Sequence, residues 1–150
     1  MITQVSNSFF NLLQAFEGFV SCPYKDSGGV WTIGIGTTKY PDGRPVQKGD
    51  GCISQNQAIL FAKNDVSYIE KFLTALHVEL TQNQFNALAS LAYNIGTGAL
   101  SRSTLLKKVI KNPNDLSIGA EFEKWCYDNK VINKGLLIRR RKERDIYFQA

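Results

Sequence analysis

A single change of period divides this chain. Residues 18 to 50 hold seven of its twelve glycines and three of its four prolines. Within them, Val30-Trp31-Thr32-Ile33-Gly34-Ile35-Gly36 alternates with the period of two that marks a strand. From Ser54 onward the apolar residues recur at helical spacing and do so to the C-terminus. Such a chain is expected to fold as α+β, a small antiparallel sheet followed by a larger all-helical region.

The punctuation agrees. Phe9, Leu12, Leu13 and Phe16 recur at i, i+3, i+4 and i+7, so Ser8 to Phe16 reads as a helix with Asn7 or Ser8 as its N-cap. Glu17 then stands at the end of a rigid element. Ser27-Gly28-Gly29 and Tyr40-Pro41-Asp42-Gly43-Arg44-Pro45 are turns, and Lys48-Gly49-Asp50-Gly51 closes the sheet region. Ser54 with Gln57, and Thr81 with Gln84, form capping boxes. The first opens a long helix reaching to about Leu76. The second opens a helix carrying Phe85, Leu88, Ala89, Leu91, Ala92, Tyr93 and Ile95, which is expected to be buried.

Glu17, Asp26 and Thr32 carry the chemistry. Glycoside cleavage uses two carboxyl groups flanking the scissile bond, one protonated and one ionised, so their surroundings must differ. Phe16, Phe19 and Val20 flank Glu17 with apolar surface that favours the protonated acid, whereas Lys25, Ser27 and Gly28 set Asp26 in a polar turn that keeps it charged. A Glu and an Asp nine positions apart are by themselves more often a solvated helix end and a solvated turn. The neighbouring strand gives this pair its weight. With period two, Val30, Thr32, Gly34 and Gly36 share a face that offers a hydroxyl and two positions without side chains, where a sugar ring can approach the backbone.

The run E-G-x(5)-Y-x-D-x-x-G-V-x-T-I-G-x-G, from Glu17 to Gly36, resembles the phage-type lysozymes, or endolysins, of glycoside hydrolase family 24. Leu80 to Leu88 with Ala92 to Gly96 resembles the family's central helix. Ser103 to Leu106, Phe122 to Trp125 and Gly135 to Glu143 resemble later segments, so the likeness extends from about Phe9 to Phe148. It implies one lysozyme-like catalytic domain over 1–150 with the active-site cleft between two lobes. Its parts would be a helix over 8–17, a β lobe over 18–50, a linking helix over about 55–76 and a helical lobe over 77–150. The implied activity is a muramidase that hydrolyses the β-1,4 bond between N-acetylmuramic acid and N-acetylglucosamine in peptidoglycan, with inversion, for host lysis at phage release. By resemblance, Glu17 is the general acid, Asp26 the second carboxylate and Thr32 the third catalytic member. Tyr24, Gly36, Tyr93 and Asn94 are substrate-binding candidates. No metal or organic cofactor is implied. One departure is local: many relatives carry His where this chain has Thr37.

Charge and cysteine bound the remaining possibilities. The net charge of +5 arises wholly in residues 101–150, which hold twelve basic and six acidic groups. Such a region attracts anionic partners over roughly 10 Å at moderate salt. Wall polymers fit, as does an anionic outer-membrane surface contacted weakly through the basic C-terminal helix; a specific nucleic-acid partner would leave the paired acids unexplained. Arg139, Arg140, Arg141 and Lys142 are consecutive and point in all directions on a helix, so at least one must face inward and find an acceptor; Arg139 or Arg140 is expected to turn toward the cleft, with Glu17 as its partner. Cys22, Cys52 and Cys126 are odd in number and widely spaced, and read as free thiols. With His77 as the only histidine they show no metal-ligand spacing. Met1 to Asn7 lacks a basic and then apolar leader pattern. A monomer held in the host cytoplasm and released through a separate pore is the expectation that follows.

Overall fold

The computed structural model describes residues 1–150 as two compact units, Asn7–Tyr68 and Met1–Ser6 with Ile69–Ala150. The first six residues thus belong with the helical unit. There the Val5 amide donates to the Glu70 carboxylate at 2.8 Å and the Ser6 amide to Asn86 Oδ1 at 3.2 Å.

The first unit begins with α1 (Asn7–Glu17), anchored by buried Phe9 and Leu13. The helix includes Asn7, so neither Asn7 nor Ser8 caps it. Strands β1 (Val20–Lys25) and β2 (Trp31–Gly34) pair antiparallel, with Tyr24 opposite Thr32 and Lys25 opposite Trp31. The expected alternation to Gly36 does not hold. Gly34 (φ +69°) and Gly36 (φ +80°) adopt left-handed backbone, and Ile33 and Thr37 exchange hydrogen bonds of 2.9 and 3.0 Å, so the chain turns back on itself. Helix α2 (Gln55–Thr74), opened by the Ser54 hydroxyl accepting from the Gln57 amide at 3.1 Å, takes the space beside Gly34. A Cβ at Gly34 would lie 3.0 Å from Ala58 Cβ. The bare position thus serves close helix–strand packing, not the approach of a sugar.

The expectation of free thiols fails for two of the three cysteines. Cys22 and Cys52 are joined, with their Cα atoms 4.2 Å apart, and only the buried Cys126 is free. The pairing depends on β1 meeting the segment that precedes α2, a contact 30 residues apart in sequence that no local pattern announces.

The helical unit is built on α3 (Gln82–Ile95), whose residues Gln84 to Ala92 are all buried. The expected capping box is formed: Thr81 Oγ1 accepts from the Gln84 amide at 3.1 Å, and Gln84 Oε1 accepts from the Thr81 amide at 3.0 Å. Short helices α4 (Thr97–Ser101), α5 (Thr104–Lys111) and α6 (Ile118–Glu123) follow. A two-residue hairpin of β3 (Tyr127–Asp128) and β4 (Val131–Ile132) leads into α7 (Lys134–Tyr147), which packs on α3 and α6. On α6, buried Glu121 accepts from Lys124 at 2.8 Å and Lys108 at 3.2 Å. The Lys124 hydrogen bond, aided by Lys108 and opposed by burial, holds the Glu121 carboxyl below its ordinary value. A lowered folded pKa contributes stability that is present above about pH 4.5 and lost as the pH falls through the folded value. The thermal midpoint of the wild type should therefore drop more steeply than that of Glu121→Gln between about pH 5 and pH 3; parallel profiles would contradict this.

α7 inserts a charged stripe into the core. Arg139, Arg140, Glu143 and Tyr147 are all buried on its inner face. Arg140 Nε lies 2.7 Å from Glu143 Oε1, and Arg139 Nε lies 3.5 Å from Glu143 Oε2. Further hydrogen bonds surround them: Ser90 Oγ donates to Glu143 Oε2, Arg139 Nη2 donates to the Ser90 carbonyl at 3.2 Å, and the Tyr147 hydroxyl donates to the Pro113 carbonyl at 2.6 Å. Burial pushes the Glu143 carboxyl up, against the pull of Arg140, Arg139 and the Ser90 hydroxyl. Glu143→Ala would leave two buried guanidiniums without this carboxylate and should cost about 3–5 kcal/mol in a denaturant titration. Glu123→Ala removes a half-buried partner of Arg141 and Arg144, and should cost about 1 kcal/mol or less. Equal losses would contradict the assignment.

Candidate active site

Glu17 sits at the C-terminal end of α1, four positions after Leu13 and eight after Phe9. Those three positions share a helix face, so Glu17 extends the buried stripe to its edge and is itself half-buried. Gly18 ends the helix with φ +71°, its amide donating to the Gln14 carbonyl at 2.8 Å. The apolar flank expected from sequence is incomplete, since Phe19 and Val20 are exposed.

Asp26 follows β1 directly and is held by its own turn. Its Oδ1 accepts from the Gly28 amide at 2.9 Å and the Val30 amide at 2.8 Å, while its backbone amide donates to the Val30 carbonyl at 2.9 Å. One carboxylate oxygen is therefore fixed by the backbone, and Oδ2 is left for other work. Thr32 stands on β2 with only 3 % of its surface exposed. Its hydroxyl donates to the Val30 carbonyl at 2.9 Å. With its proton committed there, the Thr32 oxygen offers lone pairs, suited to accepting from a water or a sugar hydroxyl. Val30 thus ties the two side chains together: its amide orients Asp26 and its carbonyl orients Thr32.

Tyr24 is the cross-strand partner of Thr32. Burial, and then the negative charges of Glu17 and Asp26, push its phenol up, so it remains a hydrogen-bond donor at neutral pH. Glu17, Tyr24, Asp26 and Thr32 all belong to one unit, in which Asp26 and Thr32 are joined through Val30 and Tyr24 pairs with Thr32. Gly36 belongs to the same unit, in the turn that follows β2. Tyr93 and Asn94 occupy the last turn of α3 in the helical unit, half-buried and exposed respectively.

Both Arg139 and Arg140 turn inward, where at least one basic residue of the run was expected to do so. The carboxylate they meet within the helical unit is Glu143, which sequence reasoning missed. Its spacing of three and four positions from the two arginines was the available signal. Of the remaining charges in the run, Arg141 donates to Glu123 at 2.9 Å and Lys142 is exposed without a carboxylate partner.

Thr37 has a definite role in place of the histidine of many relatives. It is fully buried, and its hydroxyl donates to Asp65 Oδ2 on α2 at 2.7 Å. A hydrogen bond to a charged group contributes about 1.5–3 kcal/mol, so Thr37→Val should destabilise the protein by that much on urea titration. An unchanged midpoint would show the bond to be idle.

An antiparallel hairpin bearing an oriented carboxylate and hydroxyl, a second acid at the end of the preceding helix, and a unit built on a buried central helix together define the α+β lysozyme-like class. The model of the phage lysozyme family matches residues 14–143. The endolysin of Acyrthosiphon pisum secondary endosymbiont phage 1 is 37% identical over 97% of this chain and 99% of its own length. Among solved structures, the endolysin of Escherichia coli O157:H7 phage FAHEc1 is 36% identical with a TM-score of 0.83, over 97% of this chain and 94% of that one. A mutant of P22 lysozyme is 33% identical, also at 0.83, over 99% and 100%. The chain belongs to the phage lysozyme family, glycoside hydrolase family 24.

Proposed function

We propose that this chain lyses bacterial walls by hydrolysing the β-1,4 bond that follows N-acetylmuramic acid in peptidoglycan, with Glu17, Asp26 and Thr32 as its catalytic residues. As a lysozyme of the endolysin type it degrades peptidoglycan in host lysis. Glu17 donates a proton to the leaving oxygen. Asp26, charged and fixed through Oδ1, stabilises positive charge developing at the sugar. Thr32 accepts a hydrogen bond from the attacking water and aims it. Tyr24, the cross-strand partner of Thr32, offers its hydroxyl as a further hydrogen-bond donor.

The observation that carries this reading is the shared anchorage of Asp26 and Thr32 on Val30, in the same unit as a half-buried Glu17. One side chain is an acceptor with a free oxygen and the other an oriented hydroxyl, which is what a water between them requires. No helix of the chain is long and apolar enough to cross a membrane. The reading is tested by clearing of a purified peptidoglycan suspension. Clearing with release of reducing sugar ends is expected; clearing without new reducing ends would refute a glycosidase.

A further inference from the structure

The middle of β1 is held in an unusual way. Its ladder with β2 is irregular between Val20 and Tyr24, so Cys22 lies where the register slips. At that level the strand is tied to the segment before α2. The Ile53 amide donates to the Ser21 carbonyl at 2.8 Å, and beside it Cys22 is bonded to Cys52. Ile53 in turn packs at Gly34, its Cδ1 3.3 Å from where a Cβ would stand. The closed loop contains Asp26, Thr32 and the turn that orients them. Both cysteines are exposed, so small thiols and disulfides reach them.

We propose that the Cys22–Cys52 pair is a redox switch on the catalytic hairpin, with the disulfide form active and the dithiol form weakened. The proposal rests on the glycosidase reading above. In the dithiol, β1 stays tied to the segment before α2 at this level by the Ile53–Ser21 hydrogen bond, with its pairing to β2 resumed only at Val20 and Tyr24 on either side. Motion there passes along the strand to Tyr24 and Asp26, two and four residues on. A dithiol is the stable form where reduced glutathione is abundant, and a disulfide is the stable form in an oxidising space. Closure needs a disulfide oxidant such as oxidised glutathione. The thiolate of one cysteine attacks it, expels one glutathione thiol and forms a mixed disulfide. The second cysteine displaces the other glutathione. Two electrons pass to the oxidant, and the two cysteine protons end on the two released thiols. A chain made in a reducing compartment thus carries a weakened site until it reaches an oxidising one.

The test compares the full-length protein equilibrated with oxidised glutathione or with dithiothreitol, reading thiol count, thermal midpoint and wall clearing. Closing a loop of this length should raise the midpoint by roughly 5–15 °C, and the dithiol should clear walls about fivefold or more slowly, recovering on reoxidation. Cys22→Ser with Cys52→Ser should behave as the dithiol in either buffer, while Cys126→Ser should keep the response. Equal rates for oxidised and reduced wild type, or a response that persists in the double serine variant, would overturn the switch and leave the glycosidase reading intact. Failure of both forms to release reducing ends would overturn the glycosidase reading, and the switch with it.

Discussion

Glu17→Gln should abolish wall clearing while the protein unfolds at its usual temperature. The amide is nearly isosteric and keeps an acceptor oxygen, but it has no proton to give the leaving sugar oxygen. General acid catalysis is worth about 10²–10⁴-fold, and the loss should fall in that range. The position makes the substitution clean. Glu17 is the last residue of α1, half-buried rather than enclosed, and Phe9 and Leu13 anchor the helix without it. Near-normal clearing by a folded variant would remove Glu17 from the mechanism.

Asp26→Asn should be nearly as damaging, for a different reason. Asparagine retains Oδ1, so the Gly28 and Val30 amides keep their acceptor and the turn survives. What disappears is the negative charge facing the sugar. Loss of one preorganised electrostatic group costs about 10²–10³-fold. Thr32→Ala should cost less, because an ordered water can take the place of a hydroxyl. The Thr32 hydrogen bond to the Val30 carbonyl gives that water a site already defined. Equal losses for Thr32→Ala and Asp26→Asn would mean the hydroxyl does more than aim a water. Full activity in Asp26→Asn would mean charge at this position is not needed.

The parts of the site visible in the sequence are those made by local rules. Phe9, Leu13 and Glu17 fall on one helix face whatever the rest of the chain does. Asp26, Gly28, Gly29 and Val30 spell their own turn, and the Thr81–Gln84 box forms as its spacing demands. What escaped was decided at long range. Gly34 looked like open surface because nothing in its neighbourhood reveals that Ala58 will press against it. Cys22 and Cys52 looked like free thiols because their meeting needs β1 and the approach to α2 to be juxtaposed first. Glu143 was passed over as the partner of the inward arginines in favour of Glu17, although it stands three and four positions from them on the same helix. The strand period failed for a local reason that was present in the sequence. Two glycines separated by one residue permit left-handed backbone as readily as a continued strand, and the exchange of hydrogen bonds between Ile33 and Thr37 selects the turn.

In this mechanism Glu17 and Asp26 drive hydrolysis of the bond after N-acetylmuramic acid. The most direct measurement is a mass spectrum of fragments from purified peptidoglycan digested in water enriched in heavy oxygen. The account predicts fragments ending in reducing N-acetylmuramic acid that carry one heavy oxygen, formed by the wild type and missing with Glu17→Gln. Fragments ending in reducing N-acetylglucosamine would contradict the assigned bond, and unlabelled anhydro ends would contradict hydrolysis itself.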